Sequence, residues 1–184
     1  SIPALLDYLK TEIVERVGVE LGRQAINGNG VKEMTGVLTS LAAVTAQKST
    51  YVTADGITYA KILEVIGKLG AKHANSAVFY ADNATVWTKL ASIVDQEGRP
   101  YFIADTTAGG VGRILGFTVK VDSAVPAGTV ILADAKGYVI NTNEAVSVES
   151  DRDIKARKTG FSAYTIVDGN VTHEKAFSIL APTV

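Results

Sequence analysis

The sequence predicts an α+β protein, and three observations carry that reading. Residues 3–26 form a long amphipathic helical pattern, and a middle stretch alternates helical patterns with a short apolar strand. From residue 101 the helical period gives way to short β-rich runs. With 184 residues the chain can form one ordinary domain, or two small lobes sharing segments, around a core that needs no covalent staples.

In the first element, Leu5, Leu9, Ile13, Val17, Leu21 and Ala25 follow an i,i+4 row. Asp7, Lys10, Glu12, Glu15, Glu20 and Arg23 supply the polar faces. Ser1 and Pro3 suit a helix entrance and Asn27-Gly28 a left-handed exit, so the rod would run about 36 Å at roughly 1.5 Å per residue. A helix of that length in a chain this size predicts an elongated molecule with a spine.

A polar, threonine-rich stretch covers residues 45–58. Ile62, Leu63, Val65, Ile66 and Leu69 then mark a second helix that ends around Gly67–Gly70, and Ala77–Tyr80 reads as a short buried strand. Asp82 or Asn83 can cap a third helix through Val86, Trp87, Leu90, Ile93 and Val94, before a turn at residues 95–100. Beyond it, strands are expected at Phe117–Val121, Val130–Leu132, Tyr138–Ile140, Val146–Val148, Phe161–Val167 and Val171–Leu180. Asp168-Gly169 between the last two is a hairpin signal, Pro126-Ala127-Gly128 and Lys136-Gly137 mark other reversals, and Gly109, Gly110 and Gly112 suggest a flexible loop.

Composition narrows the function. The absence of cysteine excludes disulfides, thiolate nucleophiles and cysteine-held metals, and fits a cytoplasmic folding environment. A net charge of −1 leaves no electropositive footprint for strong nonspecific nucleic-acid binding, and no apolar run approaches the roughly 20 residues that span a bilayer. The residues from Ser1 onward do not read as a signal peptide, and the start at Ser1 reads as a processed product or a fragment.

The chemical motifs are weak. INGNGVKEMTGVL at residues 26–38 resembles a phosphate loop, but Glu33 stands where G-x-G-x-x-G needs its third glycine, and no G-K-S/T follows Gly36. The stretch also follows a helix rather than a strand, so a structural turn is the reading. His73 and His173 lie far apart, without metal-ligand spacing, and read as surface or structural groups; no G-x-S-x-G elbow nominates a serine. Asp151 and Asp153 within ESDRDIKARK, residues 149–158, could ligate a hard cation, but Arg152, Lys155, Arg157 and Lys158 balance them. That mixture suits a solvated face in an isolated chain and a register-setting contact in an assembly. Trp87 with Leu90 and Ile93 reads as helix packing, and Tyr101-Phe102 as a loop anchor.

The ordered set of features resembles the major capsid proteins of tailed bacteriophages with the HK97-type shell fold. The resemblance rests on the long helix, the INGNG…TGVL turn, NATVWTKLASIVDQEGRPYF at 83–102 and ILGFTVKVDSAVPAG at 114–128. ADAKGYVI at 133–140 and FSAYTIVDGNVTHEKAFSILA at 161–181 extend it over nearly the whole chain. The family's N-terminal arm and extended loop, which normally precede the spine, are not in this sequence, so no crosslinking residues carry over.

The resemblance implies an HK97-like capsid fold with a long spine helix, a mixed α/β axial domain and a β-rich peripheral domain. Residues 1–54 would open the peripheral domain, 55–140 would form the axial domain and 141–184 would return to the peripheral one. It also implies a structural subunit of a bacteriophage or prophage shell rather than an enzyme, requiring no cofactor. Its partners would be copies of itself in pentamers and hexamers, scaffolding and portal proteins, and packaged DNA held without sequence-specific recognition. An encapsulin-like nanocompartment shell is the alternative within the fold. A small hydrolase or phosphate-binding enzyme using Asp151, Asp153 or the glycine turn is the alternative outside it. Candidate subunit-interface residues are Gly98, Arg99, Gly109 and Gly110 around the 98–112 loop, and Arg152, Lys155 and Arg157 in the charged segment.

Overall fold

A computed structural model describes residues 2–105 and 111–183, so Gly109 and Gly110 lie outside the described residues. The first helix, α1 (Ile2–Asn27), spans about 39 Å at roughly 1.5 Å per residue. The predicted apolar row is half-buried from Leu9 through Ala25, while Leu5, Tyr8, Val14 and Val19 are exposed. This helix therefore lies on the body without being enclosed by it.

The helix exit differs from the expected left-handed glycine. The Gly28 amide still bonds the Gln24 carbonyl in helical fashion, and in this turn it is Gly30 that takes positive φ. Gly28 is required instead by close approach. A Cβ there would sit 2.0 Å from the Met34 carbonyl oxygen, and one at Gly36 would sit 2.5 Å from the Gly28 nitrogen and the Ile26 carbonyl oxygen. The two glycines let the chain cross its own backbone, with the Gly36 amide bonded to the Gly28 carbonyl at 2.9 Å.

After the turn come the short α2 (Val37–Ser40), β1 (Lys48–Val52), α3 (Tyr59–Lys68) and β2 (Val78–Ala81). Thr58 caps α3 by accepting the Lys61 amide. The third predicted helix stops early. A single turn, α4 (Asn83–Thr85), passes into a π-helical turn at Val86–Leu90. Ile93 and Val94 fall outside it, because Val94 bridges Pro100 and the Ile93 carbonyl accepts the Tyr101 amide.

Strands β3 (Phe102–Ala104), β4 (Gly112–Ile114), β5 (Phe117–Val121), β6 (Val130–Ala133) and β9 (Phe177–Thr183) join β1 and β2 in a mixed sheet ordered β1-β9-β6-β2-β5-β4-β3. Part of the 98–112 segment expected as loop is thus strand, including Gly112. The central β6, with neighbours on both sides and a core on both faces, is buried at every position, which explains its uninterrupted apolar Val-Ile-Leu-Ala. Val130 and Leu132 face one core, with Phe79, Leu180, Ile62, Val65 and Leu90; Ile131 and Ala133 face the other, with Val37, Leu41, Phe177 and Ile179.

The remaining strands depart most from expectation. Tyr138–Ile140 and Val146–Val148 are parts of one strand, β7 (Tyr138–Asp153), which pairs with β8 (Lys158–Val171) in a long two-stranded hairpin. Bulges between Thr142 and Ser147 break the alternation that would have revealed one continuous strand. Asp168-Gly169 is not a turn. Gly169 pairs with Ile140 inside the ladder, where a Cβ would meet the Tyr138 hydroxyl at 2.6 Å and the Met34 sulfur at 2.8 Å. The real reversal is at residues 154–157, and the expected strand Val171–Leu180 is interrupted by a 3-10 turn at Glu174–Ala176.

Candidate interface site

The glycine turn is clasped to the hairpin base. The Thr35 amide bonds the Gly169 carbonyl at 2.9 Å, and the Tyr138 hydroxyl donates to the Thr35 carbonyl at 2.9 Å. The Glu33 carboxylate accepts the Asn29 amide at 3.1 Å and the Arg23 guanidinium at 2.7 Å. It thereby occupies an amide that a phosphate loop would offer to an anion, which supports the structural reading of the turn.

Acidic groups that hold this body together are tuned by their partners. Hydrogen bonds from Arg23 and then Gln24 hold the Glu20 carboxyl at about 2, and those from Lys61, Ser49 and Lys68 hold Glu64 at about 2. Between about pH 4.5 and 2 the unfolded chain then binds more protons than the folded one. Stability from these contacts is expected to be complete above the ordinary carboxylate value and to be lost as pH falls toward 2. Urea midpoints measured between pH 6 and pH 2.5 check the direction, and added salt should flatten the slope because both carboxylates are solvent-exposed.

The two histidines, distant in sequence, come together with ring centroids 6.2 Å apart. His73 is buried, with Nδ1 2.7 Å from the Asp134 carboxylate. Burial opposes the Asp134 charge, but hydrogen bonds from His73, the Lys136 amide and Ser76 outweigh it and hold the carboxyl below its ordinary range. The pair joins the connections before β2 and after β6. Among the described residues no cluster of three or more metal-ligating side chains occurs.

The first interface candidate is a self-contained turn. Asp95 accepts the amides of Glu97 and Arg99, each at 2.8 Å, and the Arg99 Nε at 2.9 Å; the Arg99 guanidinium also meets Glu97. Gly98 takes φ +80° between them. Beside the turn, Tyr59 stacks on Tyr101 at 4.3 Å. Trp87, expected as packing, meets Phe102 edge-on at 5.7 Å yet remains 48% exposed.

The second candidate is the hairpin tip. Asp153 accepts the amides of Lys155 and Ala156 at 2.8 and 3.0 Å, and Arg157 takes φ +53°. Asp151 and Asp153 are thus on or near a β-turn, with Asp153 used locally. Arg152, Lys155 and Arg157 are all exposed, and among the described residues no ion pair engages them. Ile154, which the charge pattern hid, is 81% exposed at the apex. Its signal was a lone apolar residue within a charged run.

The hairpin touches the rest of the chain mainly through α1. A groove of about 540 Å³ runs between them, lined by Ile13, Val17, Leu21 and Ile166 together with charges of both signs, Arg16, Lys32, Glu20 and Glu33. Among the described residues no third strand pairs with either outer edge of the two-stranded ladder, although the Thr35 amide reaches the Gly169 carbonyl at its base, and Val139, Ile140, Tyr164 and Ile166 are exposed along it. A two-stranded ribbon of this length is not independently stable in water and presents edges suited to pairing with other chains.

Comparison with solved structures gives the same architecture. The chain superposes on the capsid of an empty GTA particle computed with C5 symmetry, with TM-score 0.73 and 19% identity over 97% of this chain and 66% of that one. The holo-SrpI encapsulin complex from Synechococcus elongatus PCC 7942 gives TM-score 0.66 and 14% identity, over 93% and 63%. Mycobacterium phage Bobi gives TM-score 0.66 and 12% identity, over 98% and 65%. The chain therefore spans just under two thirds of the length of these relatives. Comparison with curated protein sequences gives no match. The sequence model of the phage capsid family matches residues 2–181, and with the spine helix, mixed sheet and long hairpin in place, the chain belongs to that family and has an HK97-like fold.

Proposed function

We propose that the chain is a structural subunit of a bacteriophage or prophage icosahedral shell, self-assembling into pentamers and hexamers that enclose DNA. The observation that carries this beyond family membership is the β7–β8 hairpin. Its open edges, exposed apolar residues and unengaged basic tip make sense when neighbouring subunits cover them. Within the shell, residues 1–54 and 141–184 act as the peripheral part and 55–140 as the axial part, while β1 and β9 tie the two through the sheet. The Gly98–Arg99 turn, with Gly109 and Gly110, forms one subunit contact, and Arg152, Lys155 and Arg157 form another. Scaffolding and portal proteins are the expected assembly partners, and DNA is held without reading its sequence.

Reversing all three tip charges (Arg152→Glu, Lys155→Glu, Arg157→Glu) is expected to abolish capsomers and shells seen by electron microscopy while shifting the melting midpoint little, because none touches the core. Unchanged assembly would remove the tip from the interface. An encapsulin-like compartment is the second reading, favoured by a structural likeness to SrpI equal to that to phage Bobi. Purified particles carrying nucleic acid favour the capsid, and particles carrying protein cargo favour the compartment.

A further inference from the structure

Between α1 and the sheet lies a hollow of about 320 Å³, walled by apolar side chains including Ile26, Ile131 and Phe177. Gly22 leaves its helix side open, since a Cβ there would meet no atom within 4 Å. Asp122 is the single charged side chain lining it. Burial, and then the Asp122 charge, push the neighbouring Tyr80 phenol up.

The hairpin carries the complementary shape at its other end. Ile140 at its base lines the hollow, whereas Ile154 at its tip is the most exposed large apolar side chain among the described residues; it stands between Asp153 and Lys155, with Arg152 and Arg157 in the same turn region. From Ile140, which lines the hollow, to Asp153 the strand rises roughly 3.3 Å per residue, which holds the tip about 40 Å from the hollow of its own chain. A copy cannot fill its own hollow with its own tip.

We propose that the hairpin tip of one copy docks in the α1–sheet hollow of the next, with Ile154 against the apolar wall and the neighbouring cations at Asp122. The contact is heterologous, knob on one copy and hole on the other, so it propagates from subunit to subunit and closes only through symmetry. An apolar anchor ringed by charge is the usual composition of an energetic centre, and lysine or arginine stems lie readily along apolar walls. The proposal rests on the shell-subunit reading for its supply of identical copies.

The chain has no cysteine, so paired thiols report the contact directly. Ala156→Cys chains, which keep Ile154 at the tip, are mixed with Ala135→Cys chains, Ala135 being an exposed residue that lines the hollow, and oxidised at high protein concentration. The mixed disulfide is expected about tenfold above that formed between Ala156→Cys and Asp55→Cys, an exposed control site. Adding Asp122→Asn to the Ala135→Cys chain, which keeps an acceptor for the Ala124 amide while removing the charge, is expected to lower the yield several-fold. A yield equal to the control overturns the docking. Shells seen without the specific disulfide sink the docking alone and leave the shell reading standing. The specific disulfide in chains that never form shells sustains the docking and counts against the shell.

Discussion

Gly36→Ala is expected to destabilise the chain by about 3 kcal/mol, a large effect for one methyl group. The added carbon would lie 2.5 Å from two backbone atoms, the Gly28 nitrogen and the Ile26 carbonyl oxygen. Backbone cannot rotate away as a side-chain tip can, so the crossing at the end of α1 must open. Opening it also disturbs the Thr35–Gly169 bond that clasps the turn to the hairpin. Gly18→Ala and Gly22→Ala supply the contrast, because nothing lies within 4 Å of either added carbon. Each should stabilise α1 by about 0.5–1 kcal/mol through ordinary helix propensity. Urea unfolding of the three variants tests the assignment, and a neutral Gly36→Ala would mean the backbones do not cross as described.

Phe79→Ala is expected to cost about 4 kcal/mol. Phe79 is fully buried in β2, between β5 and β6, and meets Phe117 edge-on at 5.7 Å. Truncation removes that aromatic contact and leaves a void at the centre of the sheet, where the flanking strands are held in register on both sides and cannot collapse inward. The unfolding midpoint should fall while the denaturant slope stays unchanged. A loss near 1 kcal/mol would place Phe79 nearer the surface than the structure does.

What could be read from the residues alone followed the range of the signal. The spine helix was legible because its apolar row repeats over many turns, and β6 because a strand buried on both faces is apolar throughout. Strand β1, Lys-Ser-Thr-Tyr-Val, was lost in a polar stretch because Ser49 and Tyr51 alone are buried among its residues. The Asp168-Gly169 signal failed because turn chemistry is local, whereas the need for glycine there comes from Met34 and Tyr138, distant in sequence. At the candidate interface, the cations of residues 152–157 were visible as a cluster, but their position at a hairpin apex depends on where the strands reverse. The hollow was invisible in the sequence, because its walls come from residues as far apart as Gly22 and Phe177.

The pairing of β1 with β9 also bears on when the sheet becomes complete during synthesis. The strands lie parallel from Lys48 beside Ile179 to Val52 beside Thr183, and the Thr183 hydroxyl donates to the Tyr51 carbonyl across 132 positions. During synthesis, β1, β2 and β6 emerge from the ribosome long before β9 arrives to sit between β1 and β6. Until then the sheet has a gap, and the high contact order makes its closure a late, slow event. The strand order acts as a timer: a nascent chain lacking residues 177–183 stays incomplete, and only once they have emerged can the sheet close into a rigid body.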